Sequence, residues 1–456
     1  MPSNQELCKA IAHRITTSPQ KRITFAEYMD MVLYHPQTGY YSTKALKLGK
    51  EGDFFTSVHL GADFGELLAV QFFQMWEILG QPVPFSLVEM GAGQGLLALD
   101  ILKYIKQQYP DFFNALDYVI VEKSSVLREE QQQQLREFSV RWFNLEEIPT
   151  HSVTGCFFSN ELVDALPVHQ FVLQEGQLQE IFVTTQEEGT LNREQGAGSR
   201  EQGAGSREQG AGSRKQGAGS REQGAGSREQ GAGSRKQGAG SREQSKIPVS
   251  ISTPVASFVE VADTPSTTKL EEYFELVGIN ISSYADGYRS EVNLAALDWL
   301  SLVAERLQRG FLLTIDYGYP ASRYYNPMRS QGTLQCYYNH QRHNDPYINL
   351  GKQDITAHID FTALERWGDR CGLDKVGFTQ QALFLMALGL GERIAALSYT
   401  QQPISQLLHR RDVLHQLLDP LGIGGFGVLV QAKGLTKQEA TQPLKGLSVP
   451  EQMQIS

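Results

Sequence analysis

The sequence predicts an α/β fold in which helices cover both faces of a parallel sheet. Short apolar runs typical of buried strands alternate with longer patterns of helical period. Two late runs, at 376–379 and 426–432, are expected to form an antiparallel hairpin at one edge. The predicted strands span residues 85–90, 117–122, 155–160, 311–316, 376–379 and 426–432, and the predicted helices span residues 96–107, 124–138, 291–308 and 362–371.

Each early element rests on a local pattern. Residues 85–90 form an apolar run that three glycines close, and leucines recur at helical spacing from residue 96. Residues 118–121 are continuously apolar and end at Glu122. Continuous apolar runs are expected of parallel strands that are buried on both faces.

The chain is expected to contain an inserted subdomain. Residues 169–173 and 180–183 are two short runs that begin with polar and continue with apolar side chains, and we interpret them as a hairpin outside the main sheet. The predicted organisation is an N-terminal helical cap at 1–80, a main domain at 81–167 and 291–435, an inserted lid or substrate subdomain at 168–290, and a flexible tail at 436–456.

A heptapeptide repeat lies within this insertion. The sequence Arg-Glu-Gln-Gly-Ala-Gly-Ser recurs in seven copies between Arg193 and Ser241, with Lys215 and Lys236 replacing glutamate in two of them. No apolar positions support a coiled coil, and two glycines in each copy oppose a helix. Residues 193–245 are therefore predicted to be a disordered surface loop without a function of its own.

Deleting residues 193–241 is expected to leave both stability and activity nearly unchanged, because the repeat cannot bury apolar surface. Thermal unfolding and activity of the full-length and shortened chains check this. A large loss of either quantity would show that the repeat matters.

Composition limits the classes of partner. Lys and Arg total 41 against 51 Asp and Glu, so the formal net charge is −10. This balance disfavours nucleic acid and suits a basic substrate. No apolar run has the length of a membrane span, and we expect a cytoplasmic protein with reduced cysteines. His340 and His343 are interpreted as part of a polar loop, with half a metal site as the alternative.

The turn after the first predicted strand indicates a cofactor site. Gly91, Gly93 and Gly95 allow a sharp bend and close approach of a ligand. Glu89 would repel a pyrophosphate but suits the cationic amino acid end of S-adenosylmethionine. Glu122, at the tip of the second strand, is placed to accept hydrogen bonds from both ribose hydroxyls. A nicotinamide or flavin cofactor and a purely structural turn are the alternatives.

Polar side chains lie at the end of the strand predicted at 155–160 and directly after it. Because ligands bind at the carboxyl ends of parallel strands, Asn160, Glu161 and Asp164 are expected to face the reactive end of the cofactor. Carboxylates bind a guanidinium through paired charge-assisted hydrogen bonds, so these residues are candidates to grip an arginine. The alternative is helix capping by Asn160 beside surface acids.

Three further segments carry candidate site residues. Asp53, Thr56 and Ser57 are predicted to contact the cofactor from a loop, although a plain turn before a helix is the alternative. Asp316 ends a strand at the same rim of the sheet. Asp360 is a further candidate for catalysis, with helix N-capping as its competing role.

Taken together, these segments resemble the MidA family, which includes a mitochondrial complex I assembly factor. The resemblance covers about residues 5–435 apart from the repeat. Ala92 and Gln94 stand where the assembly factor has Pro and Arg. The motifs, in order, are Gly52-Asp53-Phe54-x-Thr56-Ser57, Val88-Glu89-x-Gly91-x-Gly93-x-Gly95, Asn160-Glu161-x-x-Asp164-Ala165-Leu166-Pro167-Val168-His169, Asp316-Tyr317-Gly318 and His358-x-Asp360-Phe361.

The resemblance implies a class I methyltransferase with a Rossmann-like seven-stranded sheet and S-adenosylmethionine as cofactor. It also implies symmetric dimethylation of arginine on a complex I subunit. Without a recognisable mitochondrial presequence, a bacterial protein acting on a basic segment of a complex I-type NAD(P)H dehydrogenase is the default expectation. A homodimer is a further possibility.

Two other functional classes stay open. One is an assembly chaperone that binds the cofactor with little catalysis, and the other is a methyltransferase for small molecules or nucleic acids. Enzymes that methylate amino groups of bases usually carry a D/N-P-P-Y/F tetrapeptide, whereas here Glu161 and Leu162 follow Asn160.

Overall fold

A computed structural model describes residues 4–43, 58, 60–186, 257–339, 341–399 and 403–448. The repeat and the predicted contacts Asp53, Thr56 and Ser57 lie outside these described residues. The helices are α1 (Gln5–Thr17), α2 (Phe25–Tyr34), α3 (Asp63–Ile78), α4 (Leu96–Gln108), α5 (Pro110–Ala115), α6 (Ser125–Gln134), α7 (Lys269–Val277), α8 (Leu294–Arg306), α9 (Ala321–Tyr324), α10 (Phe361–Arg370), α11 (Gln381–Leu388), α12 (Leu390–Ala396), α13 (Ile404–Gln416) and α14 (Lys437–Ala440).

The strands form one large sheet and several smaller ones. They are β1 (Ile23–Thr24), β2 (Phe85–Met90), β3 (Leu116–Val121), β4 (Val140–Phe143), β5 (Val153–Asn160), β6 (His169–Gln174), β7 (Gln177–Thr185), β8 (Phe258–Asp263), β9 (Arg289–Val292), β10 (Leu307–Asp316), β11 (Gly318–Tyr319), β12 (Gln335–Tyr338), β13 (Gln341–His343), β14 (Asp354–Thr356), β15 (Ile359–Asp360), β16 (Asp374–Gln380) and β17 (Gly427–Lys433).

The large sheet has seven strands in the order β16-β17-β10-β5-β2-β3-β4. Strands β10, β5, β2, β3 and β4 are parallel, and β17 is antiparallel to both β10 and β16. This arrangement confirms the predicted seven-stranded α/β class. The two late strands pair antiparallel at one edge, as predicted, but α11, α12 and α13 lie between them in the chain, so they do not form the predicted hairpin. Strand β4 was not among the predicted elements, because it is a short edge strand without a fully buried residue.

Helices cover both faces of this sheet, as predicted. Phe157 and Phe158, neighbours on β5, point to opposite faces because side chains alternate along a strand. Phe158 packs against Phe72 of α3, with ring centroids 4.9 Å apart. Phe157 lies in the cluster on the other face, to which Leu300 of α8 and Leu364 of α10 also contribute.

The predicted insertion forms a second sheet with strand order β1-β7-β6-β9, in which β8 pairs with β7. The predicted hairpin is confirmed, since β6 and β7 pair antiparallel. However, β1 comes from the predicted N-terminal cap. That cap divides between two cores: α1 and α2 pack with Val183 of β7, whereas α3 packs on the large sheet.

Two boundaries differ from the prediction. The helix predicted from residue 291 begins at Leu294, because Asn293 caps it by accepting a hydrogen bond from the Ala296 amide at 2.9 Å. The predicted flexible tail packs on the main domain as far as residue 448: Leu444 is buried, and the Gly446 amide donates to Oε1 of Gln71 at 2.9 Å.

Among the described residues, no single helix is long and apolar enough to cross a membrane. The bent pair Gln381–Leu388 and Leu390–Tyr399, with an angle of 66°, meets that requirement by length and composition only.

Candidate active site

A cavity of about 730 Å³ opens at the carboxyl ends of β2, β3 and β5. Its volume falls within the range of small-molecule sites. Strand β2 lies between β3 and β5, and the order of the strands along the chain reverses there. In open α/β sheets, ligands bind at this kind of reversal. Side chains from α2, α8 and β14 complete the lining.

The glycine turn after β2 has the backbone that the sequence predicts. Gly91, Gly93 and Gly95 have φ angles of +74°, +53° and +79°, which are left-handed conformations that favour glycine. A Cβ on Gly91 would also lie 2.8 Å from Cδ1 of Leu162. Gly91 and Gly93 line the cavity, whereas Gly95 caps the N-terminus of α4.

Glu89 lies buried at the end of β2 and lines the cavity. The Tyr118 hydroxyl donates a hydrogen bond to its Oε2 at 2.7 Å. Burial raises the pKa of Glu89 to about 7, because removing the carboxylate from water disfavours its charge more than the tyrosine stabilises it.

Glu122 is also buried at the cavity wall, one residue beyond β3. Its Oε1 accepts from the Ser124 amide at 2.8 Å, and its Oε2 accepts from Nε2 of Gln131 at 3.2 Å. The same Gln131 nitrogen donates to the carbonyl of Gly93 at 2.8 Å. Burial raises the pKa of Glu122, and these donors oppose the shift. Gln131, which the sequence did not single out, therefore ties Glu122 to the glycine turn.

The residues in this half of the cavity fit S-adenosylmethionine. Two carboxylates, Glu89 and Glu122, line the same cavity as Gly91 and Gly93 of the glycine turn. A pyrophosphate would meet both negative charges, whereas a cofactor with an ammonium group and two ribose hydroxyls offers donors to both.

Asn160 and Glu161 lie where β5 leaves the sheet, and both line the cavity. Glu161 has φ +54°, an unusual conformation for a side chain with a Cβ, and its amide donates to the carbonyl of Ile315 at 2.9 Å. Nδ2 of Asn160 donates to Oε1 of Glu161 at 3.0 Å. The strained backbone thus holds the two side chains together at the cavity wall.

Asp164 follows in a short 3-10 helix, Val163–Ala165, and is 3% exposed. Burial raises its pKa to about 6, although a hydrogen bond from Tyr317 opposes the shift. Asp316 lies behind this helix: its Oδ2 accepts from the amides of Val163 and Asp164 at 2.9 Å and 3.2 Å. Asp316 therefore positions the segment that carries Asp164 and does not itself line the cavity.

Asp360 is not part of this group, which corrects the predicted set of site residues. It is the N-cap of α10, where its Oδ1 accepts from the amides of Thr362 and Ala363 at 2.9 Å and 3.3 Å. Its Oδ2 accepts from the Tyr273 hydroxyl at 3.1 Å. Both oxygens therefore accept hydrogen bonds that stabilise the fold. Asp360 is also absent from the cavity lining.

Comparison with known proteins agrees with this geometry. Residues 67–379 match the model of a family of S-adenosyl-L-methionine-dependent methyltransferases. The chain belongs to this family. The cofactor and the family predicted from the motifs are therefore confirmed.

The methyltransferase also has curated relatives that match most of its length. It is 26% identical over 434 residues to the protein arginine methyltransferase NDUFAF7 homolog, mitochondrial, of Drosophila melanogaster. The alignment covers 90% of this chain and 80% of the relative. It is 25% identical to the Mus musculus protein arginine methyltransferase NDUFAF7, mitochondrial, over 82% of this chain and 72% of the relative. A shorter stretch, 35% of this chain and 42% of the relative, is 35% identical to the Rattus norvegicus protein.

A solved structure matches nearly the whole methyltransferase. A superfamily member from Burkholderia thailandensis, bound to S-adenosyl-homocysteine, has a TM-score of 0.72 at 26% identity, covering 97% of this chain and 95% of that chain. The similarity extends to the whole fold and agrees with the cofactor fit of the cavity.

Other residues of the cavity lining were missed by sequence reasoning. Asp30 and Tyr34 come from α2, Tyr41 from the 3-10 helix Tyr40–Ser42, and Asp354 from β14. The spacing of Asp30 and Tyr34 places them on one face of a helix, which was the one local signal available. Nothing near Tyr41 or Asp354 in the sequence indicates their place in the site.

The cavity lining of the methyltransferase is strongly acidic. Among the described residues, eight carboxylates and one ammonium group, that of Lys123, line it. Such a cavity attracts cationic ligands and repels anionic ones. The carboxylates are those of Asp30, Glu89, Glu122, Glu146, Glu161, Asp164, Asp298 and Asp354.

Cofactor affinity is expected to increase with pH through the pKa of Glu89. With a folded-state pKa of about 7, above the usual 4.5, Glu89 becomes ionised as the pH rises from 6 to 8. The ionised form attracts the cationic amino acid end, so affinity for S-adenosyl-homocysteine should rise up to about tenfold across this interval. Glu89→Gln should lack this part of the rise, and titration calorimetry of both proteins measures it.

The ligand's own amino group titrates equally in both proteins, so the comparison isolates Glu89. The same pKa predicts that the contribution of Glu89 to folding stability falls as the pH rises from about 4.5 to 7, since the folded state holds the proton more tightly. Parallel pH profiles of S-adenosyl-homocysteine affinity for wild type and Glu89→Gln would contradict the role of Glu89 in binding the cationic amino acid end.

Proposed function

We propose that this methyltransferase methylates arginine side chains of a protein. The observation that carries the proposal is the acidic wall formed by Glu161 and Asp164 beside the cofactor half of the cavity. A guanidinium presents five N–H donors in one plane and pairs with carboxylates through two parallel hydrogen bonds. The names of the relatives, protein arginine methyltransferases, support the same substrate class.

The side chains present suit a positioning mechanism. S-adenosylmethionine supplies an electrophilic methyl group when it is bound. A guanidinium is a weak nucleophile because its lone pairs are delocalised, so the carboxylates of Glu161 and Asp164 serve to orient it and to localise its positive charge away from the attacking nitrogen. Oδ1 of Asn160 is buried and accepts no hydrogen bond within the described part of the chain, which leaves it available to a further donor.

Proton removal needs no strong base. The pKa of Asp164 is about 6, so near neutral pH its carboxylate is mostly ionised and can accept the proton that the methylated nitrogen releases. Its burial keeps the carboxylate away from competing water.

We extend the proposal to symmetric dimethylation of arginine on a subunit of a complex I-type NAD(P)H dehydrogenase. The support for this finer statement is the resemblance of the motifs to the MidA family. An acidic cavity is compatible with a basic segment of such a partner.

Transfer of labelled methyl from S-adenosylmethionine into an extract of cells that lack the gene tests the proposal. We expect labelled protein bands, and acid hydrolysis should release methylarginines, with the symmetric dimethyl form identified by chromatography and mass spectrometry. Label in lysine, in nucleic acid or in small molecules would contradict the substrate class. No label despite measurable binding of S-adenosyl-homocysteine would favour the assembly chaperone.

A further inference from the structure

A second wall of the cavity combines two tyrosines with a carboxylate. Tyr34 and Tyr41 both line the cavity, and their rings stack with centroids 5.4 Å apart and an interplanar angle of 20°. Asp354, from the distant strand β14, lines the same cavity. These residues belong to neither the glycine turn nor the Asn160–Asp164 segment.

The carboxylate of Asp354 is held in one orientation. The Tyr41 hydroxyl lies 2.9 Å from Oδ1 and 3.0 Å from Oδ2 of Asp354. The Ile355 amide donates to the same Oδ1 at 2.9 Å. Asp354 is only 5% exposed, so its hydrogen bonds are shielded from competing water.

Hydrogen bonds connect this wall to Asp164. The Ala357 amide, just beyond β14, donates to the carbonyl of Asp164 at 2.9 Å. The Tyr317 hydroxyl, which stabilises the charged form of Asp164, lies 2.6 Å from Oγ1 of Thr356. On the other side, the Tyr34 hydroxyl donates to the carbonyl of Ala165 at 2.8 Å. The tyrosine pair, β14 and the Asp164 segment therefore form one connected unit around the cavity.

We propose that Asp354, oriented by Tyr41, is a specificity-determining residue that binds the guanidinium of the substrate, with the Tyr34–Tyr41 pair as the aromatic surface beside it. The proposal rests on the proposed arginine methylation. A planar guanidinium has more donors than one carboxylate can accept, and it stacks on aromatic rings. A lysine ammonium has three donors and no plane to stack, so this wall selects arginine over lysine.

A purely structural role is the competing explanation. In that case Asp354 would only anchor Tyr41, and through it the segment after α2, to β14. The two roles differ in what a substitution changes. Loss of an anchor lowers the unfolding temperature and disturbs cofactor binding, whereas loss of a substrate contact weakens binding of the guanidinium alone.

The test uses the full chain saturated with S-adenosyl-homocysteine and two probes, acetyl-arginine-methylamide and its neutral citrulline analogue. Their binding is followed by saturation-transfer NMR. Wild type should prefer the arginine probe, and Asp354→Asn should reduce its affinity about tenfold or more, the usual effect of losing a hydrogen bond to a charged group. Tyr41→Phe keeps the ring and should reduce the affinity less.

Asp345→Asn is the matched control. Asp345 is an exposed aspartate close to Asp354 in the sequence and outside the cavity lining, so the same charge change there should leave probe binding unaltered. Equal affinity of Asp354→Asn and wild type for the arginine probe would overturn the proposal. So would an absence of preference over citrulline in wild type, or a parallel fall in S-adenosyl-homocysteine affinity or unfolding temperature in Asp354→Asn.

Methylation assays separate this proposal from the proposed function. Methylarginine formed by wild type and equally by Asp354→Asn would overturn the role of Asp354 and leave the proposed function intact. Arginine-selective binding that depends on Asp354, without any methylarginine, would overturn the proposed function and support the binding wall. With an active enzyme, Asp354→Asn should raise KM for the protein substrate more than it lowers kcat.

Discussion

Glu161→Gln is expected to lower methyl transfer by at least about 100-fold while S-adenosyl-homocysteine binding stays close to that of wild type. Glu161 lies at the cavity wall where β5 ends, and its backbone is fixed at φ +54° with Asn160 donating to Oε1 at 3.0 Å. The amide of glutamine keeps the size of the side chain but loses its charge. A charged, preorganised acceptor is therefore replaced by a neutral group that cannot localise the guanidinium charge.

The chain offers a matched control for this substitution. Glu175 also has a left-handed backbone, with φ +52°, but it lies exposed in the turn between β6 and β7. Glu175→Gln should retain full activity. Single-turnover transfer of labelled methyl, together with calorimetric titration of S-adenosyl-homocysteine, measures both effects. Unchanged turnover in Glu161→Gln would remove Glu161 from the substrate clamp.

The cofactor half of the site could be predicted because its signals are local. Gly91, Gly93 and Gly95 require positive φ angles within five residues, and the sequence places Glu89 directly before them. A strand that ends in such a turn can be recognised from its own residues. The Asn160–Asp164 segment could be placed for the same reason, since it directly follows a strongly apolar strand.

The cavity wall formed by Tyr34, Tyr41 and Asp354 could not be predicted, because it depends on contacts between segments far apart in the chain. Tyr34, Tyr41 and Asp354 meet only because β1 joins the inserted sheet, which anchors α2, and because β14 packs beside Asp164. No short-range pattern contains that information.

The alternative role of Asp360 was visible in the sequence, but sequence alone could not decide between the two roles. An aspartate before a helical pattern is equally typical of an N-cap and of a residue at the rim of a site. The hydrogen bonds to Thr362 and Ala363 decide the question in favour of the cap. Asp360→Ala is thus a test of helix stability and not of chemistry.

Gly155→Ala is expected to destabilise the fold by about 4 kcal/mol or more, a large share of the stability of a typical domain. Gly155 lies in β5 beside Ser86 of β2 and Gly310 of β10, in one row across the large sheet. It has φ +151°, and an added Cβ would overlap the Ser86 carbonyl oxygen and lie 2.9 Å from the carbonyl carbon. Since both clashing atoms belong to the backbone of a central strand, no side-chain rotation can relieve them.

Gly176→Ala separates this clash from conformational strain alone. Gly176 also has a positive φ, +73°, but no heavy atom lies within 4 Å of the Cβ position. Its substitution should cost about 1–2 kcal/mol, the usual cost of a left-handed conformation for a residue with a Cβ. Urea denaturation of both variants compares the two costs. Equal losses would show that the strands separate readily at Gly155, whereas a much larger loss there would show that close packing of β2 and β5 depends on a glycine at this position.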